Sequence, residues 1–263
     1  MEPQVFDTEK IVEKKLSCEK CFNFIKPNAK FCHHCGKRAN QGYALVAFEL
    51  KNKLTLIFGY YFSLLGFLVF LYATDFQQNT SSALISDCLF AAITIGFAIQ
   101  NYAEIRPLFS FENVHLKILL ILAGAEIVFA FGVTHFSEFL NSEFFSSRER
   151  SYSSLYQDSS SPFFFTLLSV ALFPAIFEEL GFRGVLFNHL SKVTSSGATI
   201  IVTAAMFTII HLSLISLIWI LPLGLLFAYL RNKYNTLWYG IAGHFIYNGS
   251  IVVLEFLKEG RLF

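Results

Sequence analysis

Charged residues are scarce in this 263-residue chain: Asp, Glu, Lys and Arg make up 15%, against 54% hydrophobic and 17% aromatic residues, with a mean hydropathy of +0.53. So little charge excludes an ordinary soluble domain and requires a membrane protein, with the lipid bilayer as its first partner. No secretory leader is expected either. Met1 to Leu16 carries both signs of charge and no apolar run before a small-residue cleavage site, so the first apolar stretch is expected to remain as an anchor. There is no internal repeat of the inverted-transporter kind, no H-E-x-x-H helix and no G-x-S-x-G elbow; Ser213 lies near His211 without a motif around it. No nucleic-acid partner is expected, and the net charge is +1.

That small net charge conceals an asymmetry. Residues 1–53 hold ten Lys and Arg against six acids, which places the N-terminus in the cytoplasm. Apolar runs approaching the roughly 20 residues that span a bilayer occur at Leu54–Ala73, Leu84–Tyr102 and Ile118–Phe136. Shorter or interrupted runs follow at Pro162–Phe177, Ala198–Leu212, Leu214–Leu230 and Leu237–Leu254. The expectation is an all-α, polytopic bundle of about seven transmembrane helices, in a bacterial cytoplasmic membrane. With the N-terminus inside, the cytoplasmic loops carry Arg106 with Lys117, Arg183 with Lys192, and Arg231 with Lys233. Segment 137–161, with Arg148 and Arg150, is Ser-rich and reads as an exposed loop. An odd helix count leaves the C-terminus outside, against which Lys258 and Arg261 weigh mildly.

Ahead of the first span stands a small head, residues 1–40, with its metal core at 18–36. Cys18-x2-Cys21 and Cys32-x2-Cys35, followed by Gly36, have zinc-ribbon spacing. Four soft thiolates can close a tetrahedron around Zn2+, and so short a segment has no core without the metal. His33 or His34 can substitute for a thiolate, and a pair of disulfides is disfavoured in a reducing cytoplasm. A closed four-thiolate site is structural rather than catalytic. The head offers a surface for a protein partner, a metal or redox sensor, or a cap on the first helix. Cys88 is expected to pack in the core.

The rest of the chain divides into the first three spans with the Ser-rich loop, 41–160, and a second half, 161–257, where polar groups recur inside apolar segments. Glu178, Glu179 and Arg183 lie in one stretch, His211 ends another, and His244 and Asn248 sit one turn apart in a third. Ionisable groups within a membrane are costly and mark function by default. On a helix Glu179 and Arg183 can pair, while Glu178 points about 100° away and stays free. A carboxylate, two imidazoles and an amide supply what amide hydrolysis needs, a group to deprotonate water and donors for an oxyanion.

Glu178-Glu179-x3-Arg183-Gly184, Phe207-x3-His211 and His244-x3-Asn248, in that order, resemble the three motifs of the CAAX-endopeptidase and bacteriocin-processing intramembrane protease family, over roughly residues 160–255. The resemblance implies that Glu178 activates water together with His211, that His244 and Asn248 bind the scissile carbonyl oxygen, and that Glu179 and Arg183 brace the site. A catalytic metal on His211, His244 and a carboxylate and a metal-free glutamate mechanism both fit these residues. The substrate class is a membrane protein or peptide. Two other readings are a non-catalytic relative that sequesters a peptide, as an immunity factor does, and a transporter whose His and Glu line a path. Elsewhere, Glu126 is expected to make a packing hydrogen bond, His115, His135 and His189 to sit at interfaces, and Pro174 and Pro222 to kink their helices.

Overall fold

In lipid a backbone can satisfy its polar groups only within itself, so charge-poor segments of this length become helices. A computed structural model describes residues 18, 20, 21, 23, 29, 31–38, 42–145, 151–213 and 215–260, with the backbone alone at 42–51, 144 and 145. Arg148, Arg150, Leu214 and Arg261 lie outside the described residues. The chain is all-helical there, apart from one isolated bridge between Phe31 and Arg38.

Seven helices carry the architecture: α1 (Gly42–Thr74), α2 (Thr80–Gln100), α3 (Leu116–Leu140), α4 (Pro162–Leu190), α5 (Ser196–Ile209), α6 (Leu217–Tyr234) and α7 (Trp238–Lys258). They stand where the seven apolar runs were read, but five of them, α1 to α4 and α7, are long and apolar enough to cross a membrane. With 14 residues, α5 reaches about 21 Å at 1.5 Å per residue, short of a core about 30 Å thick. It packs along α6, where Gly224 lets the two backbones approach against Ala204.

Three expectations are corrected. The fourth run does not end at Phe177: α4 continues through Glu178, Glu179 and Arg183 to Leu190, with π-helical turns at Leu167–Leu172 and Leu180–Leu186. Arg183 is therefore a buried helix residue rather than a loop cation, and Arg231 is buried near the end of α6, so neither belongs in a count of loop charges. Their charges have partners inside the protein, which a hydropathy scan cannot register. Nor do the described residues of segment 137–161 form an exposed loop. A 3-10 turn at Tyr152–Tyr156 buries Ser153 and Tyr156, and Glu255 of α7 accepts from the Ser151 hydroxyl at 2.5 Å and the Ser153 N–H at 2.8 Å.

α3 and α7 run parallel. The Tyr239 hydroxyl accepts from the His115 N–H at 2.7 Å at one end, Phe129 meets Tyr247 at 5.8 Å between ring centroids, and Lys258 pairs with Glu138 at the other. On the opposite side α1 and α2 close over α4, where Tyr60, fully buried, bonds Thr94 at 3.1 Å. Gly181 of α4 faces the Tyr60 hydroxyl, and a Cβ there would overlap it. Large apolar side chains such as Phe58, Phe62, Val128 and Phe131 remain on the outside, as a lipid-facing surface requires. Cys88 is among the outward residues and not in the core.

Candidate active site

α4 is where three helices meet, and its irregularity follows from its sequence. Pro174 has no N–H, so the α-helical bond that would reach Val170 O from residue 174 is missing. Asn248 of α7 donates to that oxygen from Nδ2 at 2.8 Å. One N–H of the amide is thereby committed, and a second remains. Glu178 and Glu179 lie in the α-helical stretch Phe173–Glu179 between the two π turns, and helical spacing sets them on different faces.

Glu179 and Arg183 pair as expected, Oε1 to NH1 at 2.8 Å, with exposures of 0% and 1%. Arg183 also donates from NH2 to Gly224 O at 3.1 Å, and its guanidinium lies 4.3 Å from the Phe207 ring centroid and 5.6 Å from that of Phe227. Two aromatic faces and a carboxylate thus hold a cation away from water. The same Glu179 Oε1 lies 3.3 Å from His244 Nδ1. A carboxylate oxygen accepts, so the His244 proton sits on Nδ1, and Nε2 is turned toward Glu178 Oε2 at 3.9 Å. That separation is too long for a direct hydrogen bond and wide enough to admit a bridging oxygen. Phe227 stacks on the His244 ring at 6.1 Å. Gly240 makes room for the Glu179 carboxylate, whose Oε2 a Cβ would overlap.

His211 follows the C-terminal end of α5, its ring 5.0 Å from that of Phe207. The Phe207 carbonyl can only accept, so His211 Nδ1 donates to it at 2.9 Å, and Nε2 of the neutral ring is left as an acceptor. The helix stops there: Leu212 has a φ of +52°, a left-handed conformation unusual for leucine. Ser213 spends its hydroxyl on the turn, accepting from Ser216 N–H at 3.3 Å. Glu178 lines a cavity of about 130 Å3 between α1, α2 and α4, and its Oε2 is buried without a hydrogen-bond partner.

Residues 160–250 match the Rce1-like family, described as type II CAAX prenyl endopeptidase Rce1-like. The matched segment contains all three motifs that carry the resemblance. No curated protein and no solved structure matches this chain. The Rce1-like segment supports a membrane-embedded hydrolase acting on peptide bonds, and the chain, with five helices of crossing length, is an integral membrane protein.

The cysteine head forms a separate candidate metal centre. The four Sγ atoms lie within 4.8 Å of one another, with Cys18 to Cys35 at 3.5 Å and Cys21 to Cys32 at 3.6 Å. Zn–S bonds of about 2.3 Å in a tetrahedron put sulfurs about 3.8 Å apart, whereas a disulfide needs about 2.0 Å. Hydrogen bonds from the backbone N–H groups of Lys20 and Cys21 push the Cys18 thiol down to about 6, while Cys35 beside it is pushed up to about 11, so within the cluster Cys18 gives up its proton before Cys35. The residues fit zinc. His33 and His34 are exposed and lie outside the cluster, contrary to the expectation that one could replace a thiolate. Among the described residues no second set of three such donors converges, so His211 and His244 do not meet a carboxylate in a ready three-ligand site.

Two bland expectations also fail. Glu126 makes no packing hydrogen bond: it is 1% exposed and both carboxylate oxygens lack partners. His189 is buried, not interfacial, with neither ring nitrogen hydrogen-bonded. Sequence reasoning passed over Asp87 on α2, which shares the Glu178 cavity. Its signal was present, a lone acid in a span otherwise free of charge.

Proposed function

We propose that residues 161–257 form the core of an intramembrane endopeptidase that hydrolyses a peptide bond of a membrane protein or membrane-associated peptide. The supporting observation is the gathering of Glu178, Glu179, Arg183 and His244 from two helices into one largely buried cluster, with Asn248 bonded to α4, inside the segment that matches the Rce1-like model.

Glu178 is the general base. It takes a proton from water while the oxygen attacks the scissile carbonyl carbon, and later gives that proton to the departing amine. His211 shares the activation through Nε2, the acceptor left by its bond to Phe207 O. His244 donates from Nε2 to the developing oxyanion when doubly protonated, its Nδ1–H anchored on Glu179. In that state two carboxylates, one guanidinium and one imidazolium sum to zero charge, which suits a site enclosed by lipid-facing helices. Asn248 supplies the second donor from its uncommitted N–H. Glu179 and Arg183 position His244 without touching substrate.

The cysteine head holds a structural zinc ion and lies on the cytoplasmic side, a reading supported by the positive charge of residues 1–53. It is a separate unit ahead of the helices at 41–160, and a docking point for a protein partner. The test is Glu178→Gln, which keeps shape but cannot take a proton. Peptide cleavage by the full chain in nanodiscs is expected to fall by about 10² to 10⁴ while thermal unfolding stays unchanged. Undiminished turnover would remove Glu178 as the base.

A further inference from the structure

The cavity beside Glu178 has a second carboxylate in its wall. Asp87 projects from the middle of α2, among Leu71 of α1, Phe90 of α2 and Phe173 of α4. Its Oδ2 is buried and has no hydrogen-bond partner, and no Lys, Arg or His forms an ion pair with it among the described residues. The adjacent Ser86 cannot help, since its hydroxyl donates to Ser82 O at 2.9 Å. The neutral Ser169 hydroxyl stands beside the carboxyl, but a carboxylate without a counter-ion at a mainly apolar cavity within a membrane span is costly to keep. A cation brought in from outside would offset that cost.

The shape of the cavity limits what the cation can be. Of the ligand types His, Cys, Asp and Glu only Asp87 and Glu178 line it, without a third converging, and most of the remaining wall is Phe, Leu and Pro, which gives a hydrated metal ion little. An alkyl stem ending in a charge matches apolar walls with a carboxylate among them, which is how Lys and Arg side chains bury their stems. At about 3.5 Å per extended residue, a space of 130 Å3 shared by Asp87 and Glu178 covers only a residue or two of substrate.

We propose that Asp87 is a specificity residue that binds a basic side chain, Lys or Arg, of the substrate within a residue or two of the scissile bond. The position of that bond rests on Glu178 being the base, as proposed above; the binding of a cation at Asp87 does not.

The experiment uses the full chain in nanodiscs and short apolar peptides identical except for lysine, norleucine or glutamate at one scanned position. Wild type is expected to favour lysine over norleucine at one position by about tenfold or more in kcat/KM. Asp87→Asn should collapse that ratio whatever happens to the absolute rate, and Asp87→Lys should turn the preference toward glutamate. In parallel, binding of the lysine and norleucine peptides is measured on Glu178→Gln with and without Asp87→Asn. If nothing is cleaved yet lysine binds preferentially and needs Asp87, the recognition stands and the hydrolytic reading fails. No preference for lysine in cleavage or binding, or a preference that Asp87→Asn leaves intact, overturns the proposal.

Discussion

Removing the charge of Arg183 while keeping its bulk tests whether the Glu179–Arg183 pair is as desolvated as its surroundings indicate. At 2.8 Å and an effective dielectric near 20, the attraction is about 6 kcal/mol. Withdrawing each ion from water costs several kcal/mol, so the pair is close to break-even as a unit. The loss appears when one partner goes. Arg183→Met keeps an apolar stem between the Phe207 and Phe227 rings but leaves Glu179, 0% exposed, with only His244 for support. Glu179→Gln strands the guanidinium between two rings and Gly224 O. Each single variant should lose about 3–5 kcal/mol, and the double variant should lose less than either. Reversible unfolding by denaturant in mixed micelles gives the three values. Single losses below about 1 kcal/mol that simply add in the double variant are what solvated surface ions give, and they would refute the description of a buried, mutually dependent pair.

Gly240→Ala should act on the same carboxylate by sterics. The new Cβ overlaps Glu179 Oε2 and forces the group off Arg183 and His244, costing about 1–3 kcal/mol and lowering cleavage; Gly249→Ala, whose Cβ would meet Leu167 and Ala171 at ordinary distances, serves as control. If both behave alike in unfolding and cleavage, the close approach at Gly240 is not important. Replacing Cys18 and Cys35 by Ser should reduce bound zinc from one per chain to none, by elemental analysis, while a Glu178-dependent cleavage persists. Zinc retained by that variant would place the ion elsewhere.

The parts of this fold visible in the sequence are those written in local spacing. Cys-x2-Cys twice, and Glu179 four residues before Arg183, are short-range relations that a helix or a knuckle converts directly into contacts. The first three spans were legible for the same reason, being nearly uncharged runs. α4 was not, because averaged hydropathy ends a helix where charges begin, whereas here the charges are paired inside it. Asn248 was expected to serve a substrate alone, yet it also serves Val170 O, a relation between residues far apart in sequence. Phe227 and Gly240 gave no signal: an aromatic face for a guanidinium and a vacancy for a carboxylate exist only after α6 and α7 have packed. Glu126 shows the limit from the other side, since the hydrogen bond inferred for it depended on a neighbour that the packing does not provide.

The missing N–H at Pro174 bears on assembly as well as on chemistry. One oxygen on α4 has its donor on α7, 78 residues later in the chain. An unsatisfied carbonyl in lipid costs several kcal/mol, so this oxygen ties α4 to α7, as the bond from Arg231 Nε to Arg183 O at 3.0 Å ties it to α6. Insertion of α4 and docking of α7 are thereby joined, and the proposed oxyanion donor reaches its place in the step that completes the bilayer-facing fold.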